Sequence, residues 1–298
     1  MSAPTARQRD VRDGWLLVAP ALAVIVAVAL VPIAATAWTA LHGHDLRLPW
    51  LGRPFVGAAN FVEAAGDPRA REAVLHTVVF ALVSVPIELA VGLVLALVMH
   101  RATRGRGLIR VTALLPWAIP TVVAALVWRF MFDASTGLPG LVGGTGGHGV
   151  DWFASPIAAW VPIVGADVWK TSPFVAMLLL AGLQTIDPAV DDAARIDGAG
   201  AFRHFWSITL PLLGPSVVVA AAFRMLDALR LFDLAYVVTG GGPGTATEPL
   251  SLYAFVVLTD RLRFGYGSAL SLATFLVAFA CALLWVRALG RVVEDAHA

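Results

Sequence analysis

Six long apolar runs dominate this chain and restrict it to folds that reside in a membrane. Each run has roughly 20 or more mainly apolar residues, the length that an α-helix needs to cross the hydrocarbon core of a bilayer. Only 14% of the 298 residues are charged, against about 25% in a soluble domain. The runs extend over roughly 15–41, 73–99, 108–132, 157–183, 212–238 and 266–289. The sequence therefore predicts an all-α membrane protein with about six transmembrane helices.

The start of the first run imitates a secretory signal peptide. Arg7, Arg9 and Arg12 precede it, and Ala35-Thr36-Ala37 resembles a cleavage site. The apolar part of a signal peptide has about 7 to 15 residues, whereas this run is longer and further apolar runs follow it. We therefore expect the first run to remain in the protein as a spanning helix.

The distribution of Arg predicts the orientation. Cytoplasmic connectors carry an excess of Lys and Arg. Alternate connectors, taken together with both ends of the chain, carry more Arg than the remaining connectors. We therefore expect both termini in the cytoplasm, with tails at 1–14 and 291–298, one transmembrane domain at 15–290 and a cytoplasmic loop at about 187–211.

The segment "DDAARIDGAGAFRHFWSITLPLLGP" (191–215) stands out because it is compact and polar in a chain that is otherwise apolar. Asp187 precedes Pro188 as an N-cap precedes a proline at the first helical position, so a short helix should begin there. Residues 198–200 should end it, because glycine adopts a left-handed turn without strain. "AFRHFW" then predicts a second helical turn before Pro211. The small Ala193 and Ala194 predict a smooth surface for another protein.

The same segment carries a recognisable spacing. Asp192-Ala193-Ala194, three residues, Gly198, nine residues and Ile208-x-Leu210-Pro211 resemble the EAA signature, E-A-A-x3-G-x9-I-x-L-P, of binding-protein-dependent ABC importer permeases. Asp192 departs from the usual Glu, which keeps the charge and shortens the side chain by one methylene. The resemblance implies a type I ABC importer permease architecture whose coupling helix docks on a cytoplasmic ATPase. The residues expected to make that contact are Asp192, Ala193, Ala194, Gly198, Ile208, Leu210 and Pro211.

Other segments are similar to the carbohydrate-uptake subgroup, most of all to permeases of the maltose and trehalose kind. They are 95–110, 168–183 and 223–248. The resemblance implies import of a di- or oligosaccharide such as trehalose or maltose across the bacterial or archaeal cytoplasmic (inner) membrane. It also implies four kinds of partner: a second homologous permease, two ATP-binding cassette ATPase subunits, an extracytoplasmic sugar-binding protein or lipoprotein, and membrane lipid. ATP and Mg are expected on the ATPase subunits, and this chain is expected to hold no cofactor.

Catalytic chemistry has no support in the sequence. The phosphate-binding P-loop reads G-x-x-x-x-G-K-[ST], but Val164 stands where its first glycine should precede Lys170 and Thr171. The histidines form no H-E-x-x-H motif, and the single Cys281 excludes thiolate clusters and internal disulfides. The net charge of +1, without a basic run, gives no reason to expect a nucleic-acid partner. We therefore expect a transport subunit that is not an enzyme and binds no metal.

Charged residues inside the apolar runs mark a candidate substrate pathway, because each charge costs about 2.5–3.5 kcal/mol at the centre of a spanning helix and so faces protein or water. Arg224, Asp227, Arg230 and Asp233 are spaced by three in the fifth run, which predicts a winding ladder of ion pairs. These ion pairs are consistent with a role in helix packing and equally with a hydrated polar surface along the substrate pathway. The full set of candidates is Glu88, Trp169, Lys170, Thr171, Arg224, Asp227, Arg230 and Asp233.

Two other classes of protein share some of these features. An ion-coupled secondary transporter would use Glu88 or Asp227 to carry a proton or ion, but it has no need of a loop that docks on an ATPase. A structural or membrane-enzyme subunit would assemble without substrate-dependent ATP turnover.

Aromatic rings suit the C–H faces of sugars, and Trp117 and Trp169 are candidates for such contacts, although packing or interfacial anchoring is the commoner role of Trp.

Overall fold

The computed structural model describes residues 6–101, 105–138 and 151–295, and the regular structure in these ranges is helical. Residues 1–5 and 296–298 of the expected tails, and parts of two connectors at 102–104 and 139–150, lie outside the described residues. The helices are α1 (Ala6–Ile25), α2 (Val31–Ala40), α3 (Ala59–Gly66), α4 (Pro68–Arg101), α5 (Arg106–Ala118), α6 (Thr121–Met131), α7 (Trp160–Leu183), α8 (Pro188–Ile196), α9 (Ala201–His204), α10 (Leu210–Ala228), α11 (Asp233–Val238), α12 (Leu250–Thr259) and α13 (Phe264–Asp295). Single π-helical turns, Val26–Leu30 and Phe205–Thr209, join α1 to α2 and α9 to α10.

Within the described ranges, five helices are long and apolar enough to cross a membrane. They are Gly14–Ala40, Pro68–Arg101, Trp160–Leu183, Ala201–Ala228 and Phe264–Leu284. A sixth span is present if Gly107–Ala118 and Thr121–Met131 are taken together. The predicted all-α membrane class is therefore confirmed, with five to six spans.

The third predicted span, 108–132, is not one straight helix. Its two halves, α5 and α6, are bent by 85° at Ile119 and Pro120. Proline has no N–H to donate and pushes the preceding residue out of the helical region, and Ile119 accordingly has φ −71° and ψ 133°. The break therefore follows from Pro120.

The fifth predicted span also differs, because 212–238 is not a continuous helix. α10 ends at Ala228, and Phe232, with φ −139° and ψ −65°, separates it from α11. Asp233 opens α11, where the positive end of the helix dipole favours a carboxylate. Ser251 in α12 donates a hydrogen bond to the freed carbonyl of Leu231. The four charged residues of the predicted ladder therefore do not share one helix. Arg224 and Asp227 lie in α10, Arg230 lies in the break, and Asp233 begins α11.

The chain forms two compact units. One contains Met1–Asp67 and Ala254–Ala273, and the other contains Pro68–Tyr253 and Thr274–Ala298. In the first unit, Arg263 donates to both carboxylate oxygens of Glu63 at 2.7 and 2.8 Å, and the Tyr266 hydroxyl donates to Asp67 at 2.6 Å. These bonds join the segment that follows the first span to the start of α13.

The second unit has a tightly packed core of α4, α7 and α10. Its buried apolar residues are Ala96, Met99, Val175, Ala176, Leu179, Leu180, Leu183, Leu213 and Ala220. Small residues allow the close approach, as is usual between spanning helices. A Cβ atom on Gly92 would lie 2.5 Å from Val175 Cγ1, and one on Gly182 would lie 2.1 Å from Ser216 Oγ. This core holds the elements that carry the candidate sites.

The connector between α11 and α12 is fixed to the second unit by polar contacts. Arg69 at the start of α4 donates to both carboxylate oxygens of Glu248 at 2.7 and 2.8 Å. The Trp160 indole N–H donates to the carbonyl of Ala246 at 3.0 Å, and the Thr247 hydroxyl donates to Gly242 at 2.7 Å. The glycine-rich segment "TGGGPGTATEP" is therefore held by specific bonds at the beginnings of α4 and α7.

Candidate functional site

A small polar cavity lies in the second unit beside the two breaks in its helices. Its volume is about 130 Å³. Thr121 follows the break between α5 and α6. Phe232 lies in the break after α10, and Asp233 follows it. The complete lining is Phe80, Thr121, Asp167, Lys170, Thr171, Asp227, Ala228, Arg230, Leu231, Phe232, Asp233 and Leu234. Discontinuous spanning helices are a recurrent setting for transport sites, because non-helical backbone is tolerated there only against protein or water.

Lys170 joins α7 to the break between α5 and α6. Its ammonium donates to the carbonyl of Ile119 at 2.7 Å and to that of Trp117 at 3.2 Å. These carbonyls are left without helical partners because α5 ends at Ala118, and a cation is favoured at the C-terminal end of a helix. Two of the three N–H donors of Lys170 are therefore committed to the backbone, which leaves one for the cavity.

Arg224 is the centre of a buried ionic network behind the cavity. Its Nε and Nη2 donate to Glu88, the Nη2 bond being 3.1 Å long. Nη2 also donates to Asp167 at 3.2 Å, and Nη1 donates to Asp227 at 2.5 Å. The Arg224 and Glu88 side chains are 3% and 0% exposed, so water does not screen their attraction. One guanidinium in α10 thus binds carboxylates on α4 and α7.

Asp227 lies at the edge between this network and the cavity. One of its oxygens accepts from Arg224, while the other lies 3.7 Å from Arg230 Nη2. The Asp227 and Arg230 side chains are 59% and 67% exposed, so the second pair is weak. Asp227 is therefore a carboxylate that is anchored on one side and accessible on the other.

The structure separates the predicted pathway residues into three groups. Lys170, Thr171, Asp227, Arg230 and Asp233 line the cavity. Glu88 and Arg224 lie behind it, in the buried network. Trp169 does not line it and packs near Trp128, with ring centroids 6.3 Å apart, while Trp117 stacks on Phe174. The aromatic residues that do line the cavity are Phe80 and Phe232, which sequence reasoning did not select.

The polar loop folds as its local signals predict. The Asp187 carboxylate accepts a hydrogen bond from the N–H of Ala189 at 2.9 Å, Pro188 is the first residue of α8, and the helix ends at Ile196. Gly198 has φ +74°, and the N–H of Ala199 donates back to Ala194 at 2.9 Å. α9 then begins at Ala201 and leads through the π-helical turn into α10. The result is a short helix between two spans.

The coupling residues proposed from the sequence are not all at the surface of this loop. Asp192, Ala193, Gly198 and Pro211 are exposed, while Ile208 and Leu210 are half-buried. Ala194 is 4% exposed and packs inside the chain, so the expectation that both alanines form an outer surface is wrong for Ala194. It lies on the opposite side of the helix from solvent.

Two apolar side chains on the loop, Ile196 and Phe202, are 86% and 78% exposed. Sequence reasoning did not select them. Asp192 and Arg195 are 3.7 Å apart, but both are largely exposed, so the pair contributes little to stability. The loop thus carries exposed apolar side chains with charged residues beside them.

A close side-chain contact links α8 to the helix that follows. His204 Nε2 in α9 lies 2.9 Å from Asp191 Oδ1 in α8. Because α9 continues through the π-helical turn into α10, this contact connects the short helix to the span that carries Arg224 and Asp227. The contact therefore joins α8 to the beginning of the span whose other end borders the cavity.

Residues 88–294 match the model of the family of binding-protein-dependent transport system inner membrane components. The chain belongs to this family. Since members of the family are transport components, the short polar loop and the cavity lie in a permease subunit and not in an enzyme. The match includes α7, α8, α10 and both helix breaks.

Relatives with named substrates are similar over nearly the whole chain. The trehalose/maltose transport system permease protein MalF of Thermococcus litoralis is 41% identical, with 97% of each chain covered. The sulfoquinovosyl glycerol transport system permease protein SmoG of Agrobacterium fabrum is 38% identical, with 91% of this chain and 88% of that protein covered. The trehalose transport system permease protein SugA of Mycobacterium tuberculosis is 36% identical, with coverage of 96% and 91%.

A solved structure has the same fold. A chain of a bacterial alginate ABC transporter, crystallised in complex with an alginate pentasaccharide-bound periplasmic protein, superposes with a TM-score of 0.77. The alignment covers 93% of this chain and 94% of that chain at 20% identity. This permease therefore shares its fold with a chain of an ABC transporter.

Proposed function

We propose that this chain is a transmembrane permease subunit of an ATP-driven ABC sugar importer and forms half of its translocation pathway. The observation that carries the proposal is the loop from Asp187 to Pro211. In a chain of this permease family, it contains an exposed short helix between two spans, with Ile196 turned outward. We assign this helix, α8, as the surface that docks on an ATPase subunit.

The proposed mechanism is alternating access driven by partner subunits. ATP and Mg bind on the two ATPase subunits, and their closure moves α8. The Asp191 and His204 pair passes this movement to α10, where Arg224 engages carboxylates on α4 and α7. The two permease halves then rock and expose the cavity to the side where a binding protein releases the sugar.

The substrate in this proposal is a neutral di- or oligosaccharide such as trehalose or maltose. The similarity to the trehalose and maltose permeases supports it, and so does the chemistry of the cavity. The Thr121 and Thr171 hydroxyls and the Asp227 carboxylate suit sugar hydroxyls, and the Phe80 and Phe232 rings suit sugar C–H faces. Lys170 donates to two backbone carbonyls, which leaves one N–H for a sugar hydroxyl.

A second homologous permease is part of the proposal because the cavity is too small alone. Sites for ligands of this size have volumes of about 300–1,000 Å³, whereas this one has about 130 Å³. We therefore place the sugar between two permease chains. We place the assembly in the bacterial or archaeal cytoplasmic membrane with both termini inside, as the distribution of Arg favours.

Uptake of radiolabelled trehalose and maltose into proteoliposomes tests the function. The vesicles contain the assembled importer, with ATP inside and loaded binding protein outside. The proposal expects uptake that requires ATP and binding protein and that persists when ionophores collapse the ion gradients. Uptake that continues without ATP and stops with the ionophores would contradict it and would indicate ion-coupled transport.

A further inference from the structure

We infer that a second cavity, between the end of α4 and the inner face of α8, binds an anionic phospholipid of the surrounding bilayer. The cavity has a volume of about 680 Å³. It is separate from the polar cavity beside the helix breaks and shares no lining residue with it. Its lining combines apolar side chains on one part with basic side chains on another, as the binding of an amphipathic ligand requires.

The apolar part of the lining is contributed by the ends of spanning helices. Leu97 lies in the last turns of α4, and Leu183 is the last residue of α7. Ile186 and Phe205, both half-buried, extend this surface along the loop. Because α4 and α7 are spans that end here, the cavity lies where the hydrocarbon core gives way to the headgroup region. An acyl chain that follows the surface of the protein therefore reaches it.

The basic part of the lining is a rim at the same level. His100 and Arg101 are the last two residues of α4, and Arg195 projects from α8. The acidic residue in the lining, Asp191, is already engaged with His204. Arg195 lies 3.7 Å from Asp192, a pair that is highly exposed on both sides and therefore weak. The rim thus carries two arginines, Arg101 and Arg195, against one carboxylate, and these arginines complement a phosphate headgroup.

The two faces of α8 keep this ligand apart from the ATPase. Pro188, Asp191 and Arg195 line the cavity. They lie at positions i, i+3 and i+7, which is one face of a helix. Asp192 and Ile196 are exposed and do not line it. A lipid on the inner face therefore leaves the outer face free, and its headgroup joins α8 to the end of α4.

Native mass spectrometry of the intact importer tests this inference without ATP or sugar, so its outcome is independent of the proposed transport function. The importer is extracted from nanodiscs that contain phosphatidylcholine with increasing fractions of phosphatidylglycerol. We expect retained phosphatidylglycerol in preference to phosphatidylcholine, and no displacement by millimolar inorganic phosphate. Retention of both lipids equally, or displacement by phosphate alone, overturns the assignment.

Matched arginine variants locate the site. Arg195→Gln should weaken retention of phosphatidylglycerol about fivefold, since one basic residue near a membrane surface contributes about that factor. Arg195→Lys keeps the positive charge and should retain phosphatidylglycerol as the wild type does. Arg203→Gln removes the same charge from an exposed position in the same loop that does not line the cavity, and it should change retention less than twofold. Equal losses in the two Gln variants would show general attraction to the surface and would refute a site.

Discussion

The buried network around Arg224 makes a quantitative prediction about stability. In the variant Arg224→Met, Glu88, whose side chain is 0% exposed, loses the cation that binds both of its oxygens. Removing one partner of a buried ion pair costs about 3–5 kcal/mol. The Asp227 side chain is 59% exposed, so loss of its pair with Arg224 adds at most about 1 kcal/mol to this destabilisation. We therefore expect about 4 kcal/mol of destabilisation.

Thermal unfolding of the assembled importer, followed by size-exclusion chromatography with fluorescence detection, measures this effect. A loss of about 4 kcal/mol corresponds to a Tm that is lower by roughly 10 °C. Arg230→Met is the matched control, because Arg230 is 67% exposed and lies 3.7 Å from Asp227. It should lower the Tm by less than about 3 °C, since an exposed pair contributes about 1 kcal/mol or less.

A double variant separates the ion pair from simple packing. Adding Glu88→Gln to Arg224→Met removes one of the two buried charges that have lost Arg224, the other being Asp167, so the double variant should recover about half of the lost stability. The reasoning is refuted if Arg224→Met and Arg230→Met have equal effects. It is also refuted if the effects of Arg224→Met and Glu88→Gln simply add.

Three further predictions concern other contacts of the second unit. Lys170→Met should lower the free energy of unfolding by roughly 2 kcal/mol, because two carbonyls at the helix break lose their donor. The distribution of distances between spin labels on α5 and α6 should also broaden, and an unchanged distribution would contradict this prediction. Gly92→Ala should lower the free energy of unfolding by about 1–3 kcal/mol, because the added methyl group would overlap Val175, and the Tm should fall with it. Gly214→Ala, whose methyl group would meet nothing within 4 Å, should not lower the Tm. Arg69→Gln should raise the rate of amide hydrogen exchange in the segment 239–249 by about tenfold, since a charged hydrogen bond contributes about 1.5–3 kcal/mol. Unaltered exchange would show that the bond between Arg69 and Glu248 does not fix this segment.

Features that depend on neighbouring residues in the sequence were predictable. Long apolar runs define spans because a bilayer requires a minimum helix length. The start of α8 followed from Asp187 and Pro188, and its end followed from Gly198, because capping and left-handed turns are local. The break at Pro120 also has a local cause, although its 85° angle does not follow from the proline alone.

Features that depend on distant residues were not predictable. Arg224 and Glu88 are 136 residues apart, and only the packing of α10 against α4 brings them together. The break after Ala228 has no proline or glycine and is supported by Ser251 from another helix. For the same reason, Phe232 was not identified as a cavity residue, and Trp169 was selected although it does not line the cavity. Periodicity places a residue on a helix, but it does not say where that helix ends.

The turn at Gly198 allows the most direct test of the central claim that α8 couples this permease to an ATPase. The measurement is ATP hydrolysis by the importer in nanodiscs, with and without sugar-loaded binding protein. Gly198 has φ +74° and open space around it, so Gly198→Asn, a residue that tolerates this conformation, should retain stimulation. Gly198→Arg should abolish stimulation while the complex still assembles, because the long side chain obstructs the docking face. Equal stimulation in both variants, or hydrolysis that ignores the sugar in the wild type, would contradict the account.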